Sequence, residues 1–353
     1  MKTFVKILLL TAAIYLVVRY SPTFLDFRPK AYSIPFPAFR GPLEENWKLN
    51  EAERLFKGIL NGPESIIFHD GYLYTGLEDG RIVKVKDDKV TTVAQTGRFC
   101  HMPYEERLCG RPLGLRKGKD GLLYVIDAYY GIFSMNFTTG ALTRILPSNV
   151  LVEGRNLNFP DDLDIDDEGN IYFSDASRRW DLSTIYYLMT EYEGDGRYNL
   201  KGSKKGQLEI FADVLPGEPD NIRTSSRGTY WVGFTSARNF TNPLFMDYMN
   251  PYPTVKIIWA RLHHAFGTLL VSLAEMASYP VLKEVAYKFK RGDYVLPLLR
   301  RHGLVIEFDE NGKILRSFHS PDGKISDLSE VKEHDGYLYL GSFINDYLGR
   351  LKL

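Results

Sequence analysis

The sequence predicts an all-β protein: a six-bladed β-propeller with an N-terminal membrane anchor and a helical insertion before the hairpin of the fifth blade. The main observation is a repeated phrase, in which a polar residue and a glycine precede an apolar-aromatic strand. The glycines of successive copies lie 50, 48, 59 and 108 residues apart, and the last gap is about two periods. Short strands that recur roughly every 50 residues are typical of propeller blades. The copies begin at Asp70, Asp120, Glu168, Arg227 and Asp335.

Residues 1–20 are predicted to be a signal anchor. Lys2 and Lys6 lead into an apolar run over residues 7–18. Twelve helical residues span only about 18 Å of a bilayer core of roughly 30 Å, so a span needs the flanking charged side chains to snorkel. A cleaved secretory signal is the alternative. Both interpretations send the chain into the secretory pathway. With the lysines in the cytoplasm, the anchor makes a single-pass type II protein of the endoplasmic reticulum or plasma membrane, with its large domain luminal or extracellular.

Two further features agree with a secretory compartment. The two cysteines, Cys100 and Cys109, are close enough in sequence to close a short loop, and one disulfide is expected in an oxidising environment. Asn136 and Asn239 each begin an Asn-x-Thr acceptor sequence, so both are predicted glycosylation sites.

The charge balance excludes one class of partner. The 353 residues include 44 Lys and Arg and 44 Asp and Glu, so the net charge is zero. Nucleic-acid-binding proteins usually carry a basic excess, and no nucleic-acid partner is expected here.

The rest of the chain divides into a stem and a body. Residues 21–57 are rich in proline and are predicted to form an extended linker, whose part from 44 to 57 is a short helix or the outer strand that closes the last blade. Residues 58–353 have room for six blades of about 49 residues. An apolar, helix-periodic insertion at about 243–290 is predicted to pack on the propeller or, alternatively, to form a lid or a membrane-contacting patch. The hairpin at 303–318 is assigned to the fifth, degenerate blade.

Acidic and amide residues recur at one phase of the repeat. In a propeller the innermost strand of each blade lines the central channel, and it should begin seven or eight residues before each glycine. Crowded carboxylates repel one another unless something neutralises them, and an all-oxygen set of ligands suits Ca²⁺. The alternative is that they are turn and capping residues. The predicted calcium ligands are Glu64, Asp161, Asp220 and Asn221.

The chain resembles the strictosidine synthase-like family over nearly its whole length. The resemblance implies a six-bladed propeller. More distant relatives, the paraoxonases and gluconolactonases, hold a catalytic calcium on the axis. The resemblance is carried by the segments Gly62-Pro63-Glu64-Ser65, Cys109-Gly110-Arg111-Pro112-Leu113-Gly114-Leu115, Tyr124 to Ile132, Tyr172-Phe173-Ser174-Asp175, Pro219-Asp220-Asn221-Ile222 and Ser329 to Gly336.

The resemblance also implies roles for single positions. The relatives' axial Glu corresponds to Glu64, their Asn in a Phe-x-Asn turn to Asp161, and their Asp-Asn pair to Asp220 and Asn221. A further axial Asn of paraoxonases falls on the Pro112-Leu113 segment, where Leu113 offers no ligand.

The last inner strand departs from the plant synthase. The catalytic Glu of that enzyme corresponds to Ser329, and Glu330 lies one residue away, on the opposite face of a strand. Condensation of an amine with an aldehyde is therefore not expected.

The function expected from these residues is calcium-dependent, arylesterase-like hydrolysis of small-molecule esters or lactones. The cation would polarise the carbonyl, and Glu64 or another axial carboxylate such as Glu330 would orient or deprotonate water. The alternative is a non-catalytic membrane glycoprotein that binds an unidentified protein partner through its propeller face.

Overall fold

The chain of the computed structural model divides into two compact units. The helical unit comprises Met1–Ile34, Arg179–Gly194 and Leu244–Leu299, and the sheet unit comprises Pro35–Arg178, Asp195–Pro243 and Arg300–Leu353. The structure describes residues 27–33, 35–152, 154–191, 208–240, 243–294 and 301–353, together with 5–6, 12, 15–16 and 197–198. The predicted anchor at 1–20 therefore lies almost wholly outside the described residues.

The sheet unit is built mostly of antiparallel sheets. Strand β1 (Glu53–Leu55) belongs to the last sheet. The first sheet contains β2 (Ile66–His69), β3 (Tyr72–Gly76), β4 (Arg81–Lys86) and β5 (Lys89–Gln95), and the second contains β6 (Pro112–Lys117), β7 (Leu123–Asp127), β8 (Gly131–Met135) and β9 (Leu142–Pro147). A third pairs β10 (Pro160–Ile165) with β11 (Ile171–Asp175), and β12 (Arg197–Tyr198) pairs with β13 (Leu208–Glu209). The fourth contains β14 (Gly217–Thr224), β15 (Tyr230–Ala237), β16 (Gly303–Phe308) and β17 (Ile314–Ser320). The last joins β18 (Glu330–His334), β19 (Tyr337–Gly341), β20 (Leu348–Lys352) and β1. Short helices are α1 (Glu106–Cys109) and the 3-10 turns Gly41–Leu43, Lys48–Glu51 and Pro103–Glu105.

The repeated phrase forms the tight turn between the first two strands of a sheet. Asp70 and Gly71 have φ of 49° and 73°, and Asp335 and Gly336 have φ of 47° and 76°. Two successive left-handed residues match the twist of a two-residue hairpin, and glycine and aspartate tolerate this conformation well. The phrase is thus a hairpin signal in each copy.

The first strands of successive sheets contact one another: β2 with β6, β6 with β10, β14 with β18, and β18 with β2. This arrangement agrees with the predicted propeller. Within the described ranges five strands hold this first position, and the predicted count of six blades is not confirmed.

The prediction that the hairpin at 303–318 belongs to a fifth, degenerate blade is wrong. Its strand β16 pairs with β15, with Val232 opposite Ile306, so the hairpin completes the fourth sheet. The helical insertion separates the second and third strands of that sheet. The gap of 108 residues between glycines is therefore one sheet with a large insertion, together with the start of the last sheet.

The described part of the stem is packed and does not form a free linker. Phe27 is buried in the helical unit, whereas Leu43 and Leu49 are buried among the fourth and last sheets of the sheet unit. The segment 44–57 contains both predicted alternatives, a 3-10 turn and strand β1, which pairs with β20.

The described part of the helical unit contains the 3-10 turn Leu182–Thr184 and four α-helices: α2 (Ile185–Glu191), α3 (Phe245–Met249), α4 (Pro253–Ala277) and α5 (Pro280–Arg291). Phe27 packs against Tyr186, Tyr187 and Ala260. By length and composition, α4 is the one helix of the described chain that is long and apolar enough to cross a membrane.

Candidate functional site

Three inner strands begin with the same irregularity. In β6, β10 and β14 the pairing register shifts by one residue directly after the prolines Pro112, Pro160 and Pro219. In each case two residues of the inner strand face one residue of its neighbour, which is a β-bulge. A bulge interrupts the alternation of side chains, so neighbouring residues can reach the same group of charges.

Glu64 lies at the centre of the predicted site. Its side chain is 2% exposed, and the Asn221 amide donates a hydrogen bond of 2.8 Å from Nδ2 to its Oε1. Its other oxygen, Oε2, is buried without a hydrogen-bond partner. Burial raises the pKa of Glu64 well above its ordinary value, and the charges of Asp161 and Asp220 raise it further.

Asp161 and Asp220 complete an acidic group with Glu64. Both are half-buried, and in the described chain no hydrogen bond reaches either carboxylate. Burial and the charge of Asp162 raise the pKa of Asp161 to about 7, although Arg223 opposes the shift. Burial and then Asp161 raise the pKa of Asp220 well above its ordinary value. These three carboxyl groups are close enough to disfavour one another's charge.

A second group of carboxylates is neutralised by arginine. Arg223 donates from Nη1 to Asp162 Oδ2 at 2.7 Å and from Nε to Glu330 Oε1 at 2.8 Å, and its Nη2 lies 2.6 Å from Glu330 Oε2. Arg116 donates from Nη2 to Asp162 Oδ2 at 3.0 Å. Burial alone would raise the pKa of Asp162, but the two guanidinium groups hold it below its ordinary value. The site thus has an arginine-bound half and a half without a bonded cation.

Glu330 is not on the face that the sequence predicted. Alternation placed it opposite to Ser329 and away from the axis, whereas the structure places it among the axial charges, bound to Arg223. Strand β18 begins only at Glu330, and Asp327, three residues earlier, is left-handed with φ of 57°, so Ser329 lies outside the strand and the alternation does not extend to it. The Ser329 hydroxyl is buried without a hydrogen-bond partner.

The acidic half has the donor atoms of a metal site without a preformed metal-binding geometry. No group of three or more His, Cys, Asp or Glu side chains in the described ranges is arranged to hold a metal ion. The donor chemistry nevertheless fits a hard cation, because Glu64 Oε2 lacks a partner and Asp161, Asp220 and the Asn221 amide supply further oxygens. Carbonyl oxygens can complete such a set. Leu113 is buried and supplies no ligand, as the sequence indicated.

Sequence reasoning missed the arginine-bound half. Arg223 lies two residues after Asn221 in β14, which is the spacing of side chains on one face of a strand, and this signal could have identified it. Counting back from the glycine reaches Asp162 as well as Asp161, but the predicted calcium ligands include only Asp161. Arg116 does not follow from metal-ligand chemistry, because a guanidinium cannot bind a cation.

The remaining predicted site residues lie away from these charges in sequence. Cys100 and Cys109 form a disulfide with Cα atoms 5.6 Å apart. Asn136 is exposed in the turn between β8 and β9, where its Oδ1 accepts hydrogen bonds from the amides of Thr138 and Thr139. Asn239 is half-buried, and Thr241 of its acceptor sequence lies outside the described residues.

Comparison with known proteins gives a consistent set of relatives. Residues 41–85 match the family model described as strictosidine synthase-like, N-terminal. Adipocyte plasma membrane-associated protein from Salmo salar is 35% identical, with 90% of this chain and 82% of the relative covered. The human protein of the same name is 34% identical, with 93% and 84% covered. The alignments run over 368 and 377 positions, more than the 353 residues here, so both relatives contain segments without a counterpart. A gluconolactonase from Xanthomonas campestris aligns at 12% identity, covering 95% of this chain and 99% of its own, with a TM-score of 0.49.

Proposed function

The chain belongs to the adipocyte plasma membrane-associated protein branch of the strictosidine synthase-like family, and we propose that it is a membrane-anchored hydrolase of esters or lactones that uses a calcium ion at the acidic half of its site. One observation carries the proposal. Glu64 Oε2 is buried without a partner beside two further carboxylates, while arginines neutralise the other half of the same cluster. Arginine neutralises one half of the carboxylate cluster, and three carboxylates of the other half have no bonded cation. This second half is therefore suited to an added cation.

The residues take separate roles in this proposal. Glu64, Asp220 and Asn221 would hold the ion, which supplies polarisation of the substrate carbonyl when bound. Asp161, with its pKa raised to about 7, can accept a proton from water near neutral pH. Because Arg223 binds both oxygens of Glu330, we assign Glu330 a positioning role rather than the catalytic role that the sequence suggested.

The location of the protein is part of the same proposal. Relatives over most of the chain are named plasma membrane-associated, and residues 1–20 have the pattern of a signal anchor. The Cys100–Cys109 disulfide agrees with an oxidising compartment. We propose a type II protein whose body is luminal or extracellular and is glycosylated at Asn136 and Asn239.

The test is hydrolysis of phenyl acetate and of a lactone panel by the full chain in detergent micelles, with calcium and with a chelator. The proposal expects chelation and Glu64→Gln to abolish activity. Asp88→Asn, which changes an exposed acid in the turn between β4 and β5, is the matched control and should retain it. Activity that survives both chelation and Glu64→Gln would contradict the proposal, and metal analysis of the same samples reports on calcium independently of turnover.

A second candidate function is non-catalytic binding of a protein partner. It is favoured by the finding that, across the described chain, no three acidic, His or Cys side chains are arranged for a metal. Absence of bound calcium together with absence of hydrolysis across the panel would support this candidate.

A further inference from the structure

Helix α4 has two unlike faces. One face is buried within the helical unit through Ala260, His263, Gly267 and Ala274, and the His263 ring stacks on Phe289 of α5 with centroids 4.6 Å apart. The other face is exposed and apolar over most of the length of the helix. Its large side chains fall within an arc of about 100° around the helix axis. They are Val255, Ile258, Trp259, Phe266, Leu269, Leu273 and Met276.

The apolar face continues around the turn between α4 and α5. Met276, Tyr279 and Val281 are 84%, 69% and 72% exposed, which makes this tip among the most exposed apolar parts of the described chain. Isolated exposed apolar side chains are ordinary, but a continuous stripe that ends in an apolar tip marks a contact surface.

Charge and tether length identify what covers this surface. Residues 253–294 contain six Lys and Arg and three acidic residues, although the whole chain is neutral. Lys256 is buried, so five basic and three acidic side chains remain at the surface of these helices, where Lys288 pairs with Glu284 and Arg291 with Asp293. A basic bias beside an apolar stripe suits a membrane surface. Phe27, buried against Tyr186, Tyr187 and Ala260, also ties this unit to the N-terminal segment. The seven residue steps from Tyr20 to Phe27 reach at most about 25 Å.

We propose that α4 and the tip formed by residues 276–281 lie in the interface of a lipid bilayer, with the apolar stripe inserted between the headgroups. The tether argument rests on the anchor in the proposed function, but the contact does not depend on hydrolysis. An in-plane position follows from the one-sided pattern, because α4 keeps its other face, with Lys256 and His263, buried in its own unit.

The experiment labels single cysteines in the full chain reconstituted into vesicles of phosphatidylcholine with phosphatidylserine. Both native cysteines are in a disulfide, so an introduced cysteine is the only thiol to carry a polarity-sensitive fluorophore. Met276→Cys and Val281→Cys probe the tip. Glu310→Cys, in the turn between β16 and β17 of the sheet unit, is the control. The emission maximum of fluorophores at the tip should shift to shorter wavelength, and lipids that carry a quencher on the acyl chain should quench their emission. The fluorophore at the control position should show neither effect.

The outcomes separate this proposal from the one it rests on. If the fluorophores at the tip show the same water-exposed emission maximum and the same lack of quenching as the fluorophore at Glu310→Cys, the proposed bilayer contact is wrong. A blue shift without lipid quenching overturns it too, because a second copy or another protein surface then covers the tip. Alkaline carbonate extraction of the same vesicles tests the anchor separately. If the chain stays in the membrane while the fluorophore at the tip is unquenched, the protein has an anchor but α4 does not contact the bilayer. If the chain is extracted although the fluorophore was quenched beforehand, α4 contacts the bilayer and the anchor is absent.

Discussion

Arg223 binds both carboxylate oxygens of Glu330 inside the sheet unit, with Nε 2.8 Å from Oε1 and Nη2 2.6 Å from Oε2. Both side chains are buried, and Arg223 also reaches Asp162 at 2.7 Å. One guanidinium therefore joins the first strands of the third, fourth and last sheets. Arg223 thus neutralises Glu330 and Asp162, whereas Glu64, Asp161 and Asp220 form the half of the site without a bonded cation.

The first prediction concerns this cross-link. Arg223→Ala should lower the free energy of unfolding by about 3–5 kcal/mol, because it leaves the buried carboxylates of Glu330 and Asp162 without their main partner. Denaturant unfolding of the full chain in detergent measures the change. Arg350→Ala, which removes an exposed pair with Glu53, is the control and should change the free energy by about 1 kcal/mol or less. Equal effects of the two substitutions would mean that the axial ion pairs do not stabilise the fold.

The second prediction concerns Asp161. Its pKa is raised from 3.8 to about 7 in the folded protein, so the stability that its protonated form contributes is lost as pH rises from about 4 to about 7. In the presence of a chelator, the stability of the wild type should therefore fall relative to that of Asp161→Asn as the pH rises across this range. Above pH 7, added calcium should restore the stability of the wild type. Thermal unfolding at a series of pH values measures both effects.

Asp88→Asn serves as the control and should follow the wild type at every pH. If Asp161 is the group that accepts a proton from water, Asp161→Asn should also slow hydrolysis by about 100-fold or more. A stability difference between wild type and Asp161→Asn that does not depend on pH would show that Asp161 is ionised throughout.

The acidic half of the site followed from the sequence because the repeat keeps a constant distance between the inner strand and the glycine turn. Counting back from each glycine found Glu64, Asp161, Asp220 and Asn221, and the structure brings the three carboxyl groups into electrostatic contact and bonds Asn221 to Glu64. The distance is nearly constant because each inner strand is joined to its antiparallel neighbour by a short hairpin connection that contains the glycine.

The parts that could not be predicted share a physical cause, a local break in the repeat. The repeat gives the positions of both Asp161 and Asp162, but only the bulge after Pro160 allows both side chains to join the same group of charges, which a strict alternation excludes. The 65 residues between Ala237 and Gly303 separate the paired strands β15 and β16, so the hairpin resembled a separate blade.

The third prediction concerns a buried histidine pair. His302 Nε2 lies 2.9 Å from His319 Nδ1, and His319 Nε2 lies 2.8 Å from the Ser317 hydroxyl. Burial, followed by His302, lowers the pKa of His319 to about 3. Because the unfolded chain binds a proton near pH 6.5, stability should be full above that pH and fall by up to about 1.4 kcal/mol per pH unit below it.

His319→Gln should remove this acid-dependent loss, and the measurement is the difference in unfolding free energy between variant and wild type from about pH 7 to about pH 4. The carboxylate of Glu45 lies near the pair, with its Oε2 4.0 Å from His302 Nδ1. Glu45→Gln is therefore the matched control. If the acid-dependent loss of stability disappears with Glu45→Gln and persists with His319→Gln, the loss is caused by Glu45 and the prediction is wrong.

The fourth prediction concerns Gly114, in the bulge of β6. A Cβ at this position would lie 2.5 Å from Asp162 Oδ1 and 2.9 Å from Asp162 Cα, and Arg116 and Arg223 prevent Asp162 from moving aside. Gly114→Ala should therefore cost about 1–3 kcal/mol of stability through overpacking. Gly267→Ala in α4 is the opposite case, since its nearest neighbour would be Phe289 at an ordinary 3.4 Å and alanine favours a helix by up to about 1 kcal/mol. In denaturant unfolding, Gly114→Ala should therefore lower the free energy of unfolding and Gly267→Ala should raise it. If Gly114→Ala leaves this free energy unchanged, the arginines do not hold Asp162 against β6.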